Sequence, residues 1–337
     1  MQFNAGRTSV GWAVRCSACG SCCNSAPVLS LPELFCHQHL FVGTLGIRRV
    51  RQVRTGESLG QGSDCCQANQ EDRAEYDQIS ADCLHRIRAE EAYGHDFLLT
   101  PQGFDDPGLG RCPALGEDGR CTIHGKGKPA LCSAIPLDPL MPDRLQHLVL
   151  AERWAESDEL GARCITRTKD PERTTVRGTR VRDDDALRAL AAGRRALAAD
   201  KRFWGTAIFA QIAEQLLAQS GGVQRIPRQG FLVIPLTPVI ELLAGVSERC
   251  RELCLEYLDA QMVLCAITAR ACLARKQPSD ATTLDRLQGL LRANHGLRSS
   301  LSSGRPESHV PPGVAGSDVE AWLEHAPAEV VSRSPQG

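Results

Sequence analysis

The sequence predicts an α+β protein, mainly helical, in which a small irregular Cys-rich module carries the chemistry. Two observations lead there. Thiols gather with Gly and Pro in the first half, where short apolar runs read as small strands and turns. The second half is rich in strong helix formers with apolar residues at helical spacing.

Taken in order, residues 1–29 read as irregular. In "SLPELFCHQHLF", Ser30 caps a helix, with Pro32 near its start and Glu33 completing a capping box, so Cys36, His37 and His39 are expected to ride on it. The polar, glycine-bearing stretch 48–66 reads as a loop, and 72–93 as a charged helix. Beyond it, "EDGR" at Glu117–Arg120 is a hairpin turn. Residues 145–155 form a short helix or strand and 166–182 are turn-like. A helix-forming run follows from the "DDD" at 183–185 to "SGG" at 220–222. Thr237 and Pro238 open a long helix reaching about residue 275, a weaker one covers 281–293, and Ser317 with Glu320 caps a brief last helix. The expected organisation is a cysteine-cluster metal-binding module over 1–165, a helical region over 183–296, and a disordered tail with a short helix over 297–337.

With 337 residues the chain can bury a real core without disulfide staples. Its net charge is -1, from 39 Lys+Arg against 40 Asp+Glu, so nothing points to nucleic acid or an acidic membrane as partner. The start, "MQFNAGRTSVGWAV", is unlike a signal peptide, and no window holds about 18 uninterrupted apolar residues. A cytoplasmic protein without a membrane partner is expected. In that reducing setting the 16 cysteines are not expected to pair as disulfides. Clustered thiols there hold metals or do redox chemistry.

The densest cluster is "RCSACGSCCN". The three-residue spacing of Cys16, Cys19 and Cys22 lets a tight loop turn its sulfurs toward one point, and Gly20 can take the positive φ such a loop needs. Backbone N–H groups in the loop can offset thiolate charge, as in iron–sulfur and zinc knuckles. Depressed thiol pKa values are expected there. Cys22 and Cys23 are adjacent and their side chains diverge, so one of them serves a second site or another metal atom. About ninety residues later "RCPALGEDGRCTIHGKGKPALC" supplies Cys112, Cys121, His124 and Cys132, with Pro113 and Pro129 stiffening the loops. Cys164 in "GARCIT" brings the number to eight.

Together "CSACGSCC" and "CPALGEDGRCTIHGKGKPALCSAIP" resemble the bacterial cysteine-cluster family with the CxxCxxCC signature (YkgJ-like), described as zinc- or iron-chelating. The resemblance covers residues 15 to about 165 and does not reach the helical remainder. Carried over residue by residue, it implies Cys16, Cys19, Cys22, Cys23, Cys112, Cys121, Cys132 and Cys164 as metal ligands. Two departures are Lys128 where the family has Arg and Ile135 where it has an aromatic residue; neither removes a ligand. The implied cofactor is an iron–sulfur cluster or zinc, since thiolates suit both, and the adjacent pair fits a multinuclear site better than two separate tetrahedral zinc sites. The family is distantly similar to flagellin lysine N-methylases, so the alternative is an iron–sulfur-dependent protein methyltransferase using S-adenosylmethionine. Whether the chain is an enzyme stays open, as does a protein partner; no elbow, phosphate loop, dinucleotide fingerprint or HExxH helix is present.

The other thiols read differently. Cys250, Cys254, Cys265 and Cys272 fall on one narrow arc of a helix and read as core. Cys65, Cys66 and Cys83 lie outside the family pattern and read as plain thiols. His124 is expected to hydrogen-bond near the site, and His37 and His39 to decorate a helix face. The arginines at 48, 49, 51 and 54 read as a solvated face.

Overall fold

The computed structural model describes residues 10–16, 20, 23–60, 64–88, 92, 94–105, 111–125, 127–156, 164–278, 280–304 and 314–324. In chain order its elements are β1 (Gly11–Val14), α1 (Leu31–Cys36), β2 (Gly43–Arg51), β3 (Ser58–Leu59), β4 (Cys66–Gln67), α2 (Gln70–Cys83), β5 (His95–Gly103), α3 (Ala130–Ala134), α4 (Gln146–Ala155), β6 (Ile165–Thr168), β7 (Val176–Arg177), β8 (Arg180–Val181), α5 (Asp184–Asp200), α6 (Thr206–Leu217), β9 (Leu232–Pro235), α7 (Thr237–Ala244), α8 (Glu248–Arg275), α9 (Asp280–Ser303) and α10 (Gly316–Glu324). Helix makes up 52% and strand 15%, in several small sheets, which is the α+β, mainly helical class the sequence predicts.

The sheets run in the orders β6-β1-β7-β8, β5-β2-β9 and β3-β4. β2 is the centre of the second sheet, antiparallel to β5 from Gly43–Gly103 to Arg51–His95 and to β9 on its other side. Its run of arginines does not make a loop, because the strand is paired on both sides and the long side chains carry their heads clear of it. Arg49 donates to the carbonyls of Val223 and Ile226, Arg51 pairs with Glu57, and Arg48 lies over the Phe231 ring. Side-chain alternation meanwhile buries Leu45 and Ile47.

Other boundaries also differ from the expectation. The helix expected from Thr237 breaks at residues 245–247, where the Ser247 side chain accepts the Cys250 amide and starts α8 afresh. α9 runs to Ser303, because Leu297 and Leu301 bury against the main core. The charged helix stops at Cys83, after which His85 bridges to Phe97 as a strand-like edge. Strands β6 to β8 replace the turn-like region, held by Trp12 between Arg167 and Val176. α5 and α6 are joined by one π-turn over Lys201–Gly205.

The main core draws on both halves of the chain. Leu29, Leu31, Leu34, Phe41, Ile47 and Phe97 pack with Trp204, Leu243, Cys254 and Tyr257. Gln261 locks this joint: its Oε1 accepts the Gly43 amide at 2.7 Å, and its Nε2 donates to the carbonyls of Gln38 and Phe41. α8 is by length and composition apolar enough to cross a bilayer. Its buried face, with Cys250, Cys254, Tyr257, Leu258 and Cys265, packs inside the protein.

Candidate metal centre

Three segments carry the eight candidate thiols, and backbone hydrogen bonds fix how they meet. β1 ends at Val14 opposite Ile165, so the next pair outward is Arg15 and Cys164, whose amide and carbonyl join at 2.8 Å. Cys16 and Cys164 therefore leave the same end of that strand pair. Cys16 is exposed and Cys164 half-buried.

Gly20 has φ 73, as the tight loop requires. It sits on the second motif: a Cβ built there would lie 3.1 Å from Leu115 and 3.6 Å from the Gly119 carbonyl. Cys23 then turns back on Gly20, its amide donating to the Gly20 carbonyl at 2.8 Å, and the Cys112 amide donates to the Cys23 carbonyl at 2.8 Å. Two motifs almost ninety residues apart are thus stitched together at the backbone.

The second motif is the hairpin its sequence predicts. Leu115 bridges Cys121, the Gly116 amide donates to Arg120, and Gly119 takes φ 77 at the turn. Cys112 is buried in the main core, and Cys23 and Cys121 pack partly against it. Cys132 lies on α3, whose start is held from α1. Glu33 is 2% exposed; its Oε2 accepts the Ser30 amide and its Oε1 accepts the Ala130 amide, both at 2.7 Å. One turn on, His37 Nε2 meets the Gly127 carbonyl at 2.8 Å. The sequence predicts the capping role of Glu33 and a helix-face position for His37; the contacts to Ala130 and Gly127 are tertiary, and the capping box is their one local signal.

Electrostatics at Cys132 run against the expectation of depressed thiols. Burial pushes its pKa up to about 12, the nearby Cys112, Glu33 and Cys23 push the same way, and Lys128 alone pulls it down. Lys128 thereby supplies the positive charge beside this thiol. In the metal-free chain the thiol is protonated, and a bound cation is what would favour its thiolate.

Cys19 and Cys22 lie outside the described residues. Among the described residues no group of three or more His, Cys, Asp and Glu side chains stands close enough to hold a metal ion. What the described chain brings together is Cys23 with Cys112 at the backbone and Cys132 within electrostatic reach of both, while Cys16 and Cys164 only share one end of the β1–β6 strand pair. The chain matches no family model, and no curated protein or solved structure matches it.

The remaining thiols sort by burial. Cys250, Cys254, Cys265 and Cys272 are all fully buried core residues, as their arc on the helix predicts. Cys83 is buried and its Sγ faces the Arg194 carbonyl at 3.5 Å, whereas Cys65 is exposed and Cys66 half-buried on β4.

Proposed function

We propose that this protein binds iron, as an iron–sulfur cluster, or zinc, through Cys16, Cys19, Cys22, Cys23, Cys112, Cys121, Cys132 and Cys164, in the reducing cytoplasm. The observation that carries this reading is the 2.8 Å hydrogen bond from the Cys112 amide to the Cys23 carbonyl, which ties the two thiol motifs into one place. The donor set supports it: soft sulfur ligands select zinc, copper(I) and iron–sulfur clusters over hard cations. A bound metal would hold these irregular loops together and draw the buried Cys132 into its thiolate form. The chain's own part is to present the sulfurs: Gly20 turns the first loop, the Leu115–Cys121 hairpin supports it, and Glu33 anchors the Cys132 segment.

The test is anaerobic purification with iron, zinc and acid-labile sulfide analysis, repeated on Cys19→Ala, Cys121→Ala and Cys265→Ala. Iron with sulfide and broad visible absorption is expected, lost in the first two variants and kept in the third. Zinc without sulfide would select the zinc form. A chain with neither metal, or equal metal in all three variants, would overturn the ligand assignment.

A further inference from the structure

The outer face of α8 carries an unusual sequence of exposed side chains. At about 100° per residue, Glu252, Glu256, Asp259, Val263, Ile267, Arg270 and Ala274 fall on one straight stripe. All seven are exposed, Val263 at 60% and Ile267 at 55%. The stripe is acidic toward the helix start, apolar at its centre and basic toward its end.

Two of its acidic residues are already neutralised. Asp259 is held by Arg298 at 2.9 Å and Glu252 by Arg249 at 3.2 Å. Glu256 and Arg270 have no ion-pair partner among the described residues, and each stands seven residues from Val263, about 10.5 Å along the axis. A stripe built this way is complementary to itself only when turned end for end.

We propose that α8 is the homodimer interface of this protein, packed antiparallel against its copy with Val263 on the two-fold axis. Glu256 of each copy then faces Arg270 of the other, twice, as an isologous contact demands. Ile267 of each copy covers Val263 and the aliphatic part of the Asp259–Arg298 pair. A parallel arrangement would set Glu256 against Glu256 and Arg270 against Arg270, so charge selects the antiparallel one. The contact is narrow, about 33 Å long and one helix wide, which places it among weak, concentration-dependent associations.

Sedimentation velocity on the full chain under reducing conditions tests this, over low to high micromolar concentration. Wild type is expected to shift from monomer to dimer. Val263→Glu and Arg270→Glu, both exposed changes with circular dichroism as the folding check, should weaken the dimer at least about tenfold. The double swap Glu256→Arg with Arg270→Glu should restore it. A wild type that stays monomeric throughout, an Arg270→Glu variant that dimerises as wild type does, or a double swap that fails to recover would overturn the proposal. A monomer that floats with zwitterionic vesicles would also overturn it, and would give the stripe to a bilayer surface.

Discussion

The Glu33 carboxylate accepts the amide of Ala130 at 2.7 Å, ninety-seven residues away, from a position that is 2% exposed. This bond joins the helix that follows the first thiol motif to the start of the short helix that carries Cys132. Burial raises the Glu33 pKa, and the backbone bonds to Ser30 and Ala130 oppose that rise. Glu33→Gln keeps one acceptor oxygen but turns an amide N–H₂ toward a backbone donor. The expected cost is about 1–3 kcal/mol in urea unfolding of the metal-free chain. If the bond also positions Cys132, metal content falls toward that of Cys132→Ala. Full metal content in a destabilised Glu33→Gln protein would confine the residue to a folding role.

Thiol reactivity separates ligands from core residues. Cys36 and Cys65 are exposed, whereas Cys254, Cys265 and Cys272 are buried, and burial pushes the Cys265 thiol up to about 12. Since thiolate is the reacting form, iodoacetamide followed by peptide mapping should mark Cys65 in the native chain and the three buried thiols only after unfolding. Metal loading should erase the marks on Cys16, Cys23 and Cys121 while leaving Cys65 untouched. Protection of Cys65, or unchanged marking of Cys16, Cys23 and Cys121, would argue against the assigned ligands.

Local signals were legible and distant pairings were not. Ser30 with Glu33, the turn at Gly119, the positive φ of Gly20 and the buried arc of Cys250 to Cys272 are each written within a few residues of sequence. The charge of β2 reads as a solvated loop, yet only Arg51 is exposed, while Arg48 and Arg49 are half-buried on a central strand. Arg49 reaches the carbonyls of Val223 and Ile226, which no local pattern announces. The same holds for the joint made by Gln261 on Gly43, 218 residues apart. At the candidate site the thiol spacing was readable, but the anchoring by Glu33 and His37 depends on tertiary contact.

Asp200 should give the fold a pH dependence. Its Oδ1 accepts the Leu31 amide at 3.1 Å and Trp204 Nε1 at 3.2 Å, while Oδ2 is buried with no hydrogen-bond partner. Burial, reinforced by Glu33, raises its pKa to about 8. Between about pH 4 and pH 8 the unfolded chain is ionised there and the folded chain is not, so the contribution of Asp200 to stability falls as pH rises through that window and levels off above it. Asp200→Asn removes this contribution and gains on wild type by up to several kcal/mol toward the alkaline end. Urea midpoints of both proteins at about pH 5 and pH 8 check this. A constant difference across that range would mean the carboxyl titrates normally.

Gly43 and Tyr257 should be energetically coupled. A Cβ at Gly43 would lie 1.9 Å from the Tyr257 Oη and 2.9 Å from Leu34 Cδ2, deep in the main core. The ring itself is stacked on Phe35 at 4.5 Å between centroids, and its hydroxyl is buried without a hydrogen-bond partner. Tyr257→Phe removes that unsatisfied group and keeps the stack, so a neutral effect or a gain of up to about 1 kcal/mol is expected. Gly43→Ala overpacks the joint and should cost about 1–3 kcal/mol. In the double variant the nearest ring atom is at the Cζ position, 3.3 Å away, so the worst clash is gone while the ring and Leu34 contacts stay close. The double-mutant cycle should therefore show a favourable coupling of about 1–2 kcal/mol, read from denaturant unfolding. Strict additivity would place Tyr257 away from Gly43, and with it the seat of α8 on β2.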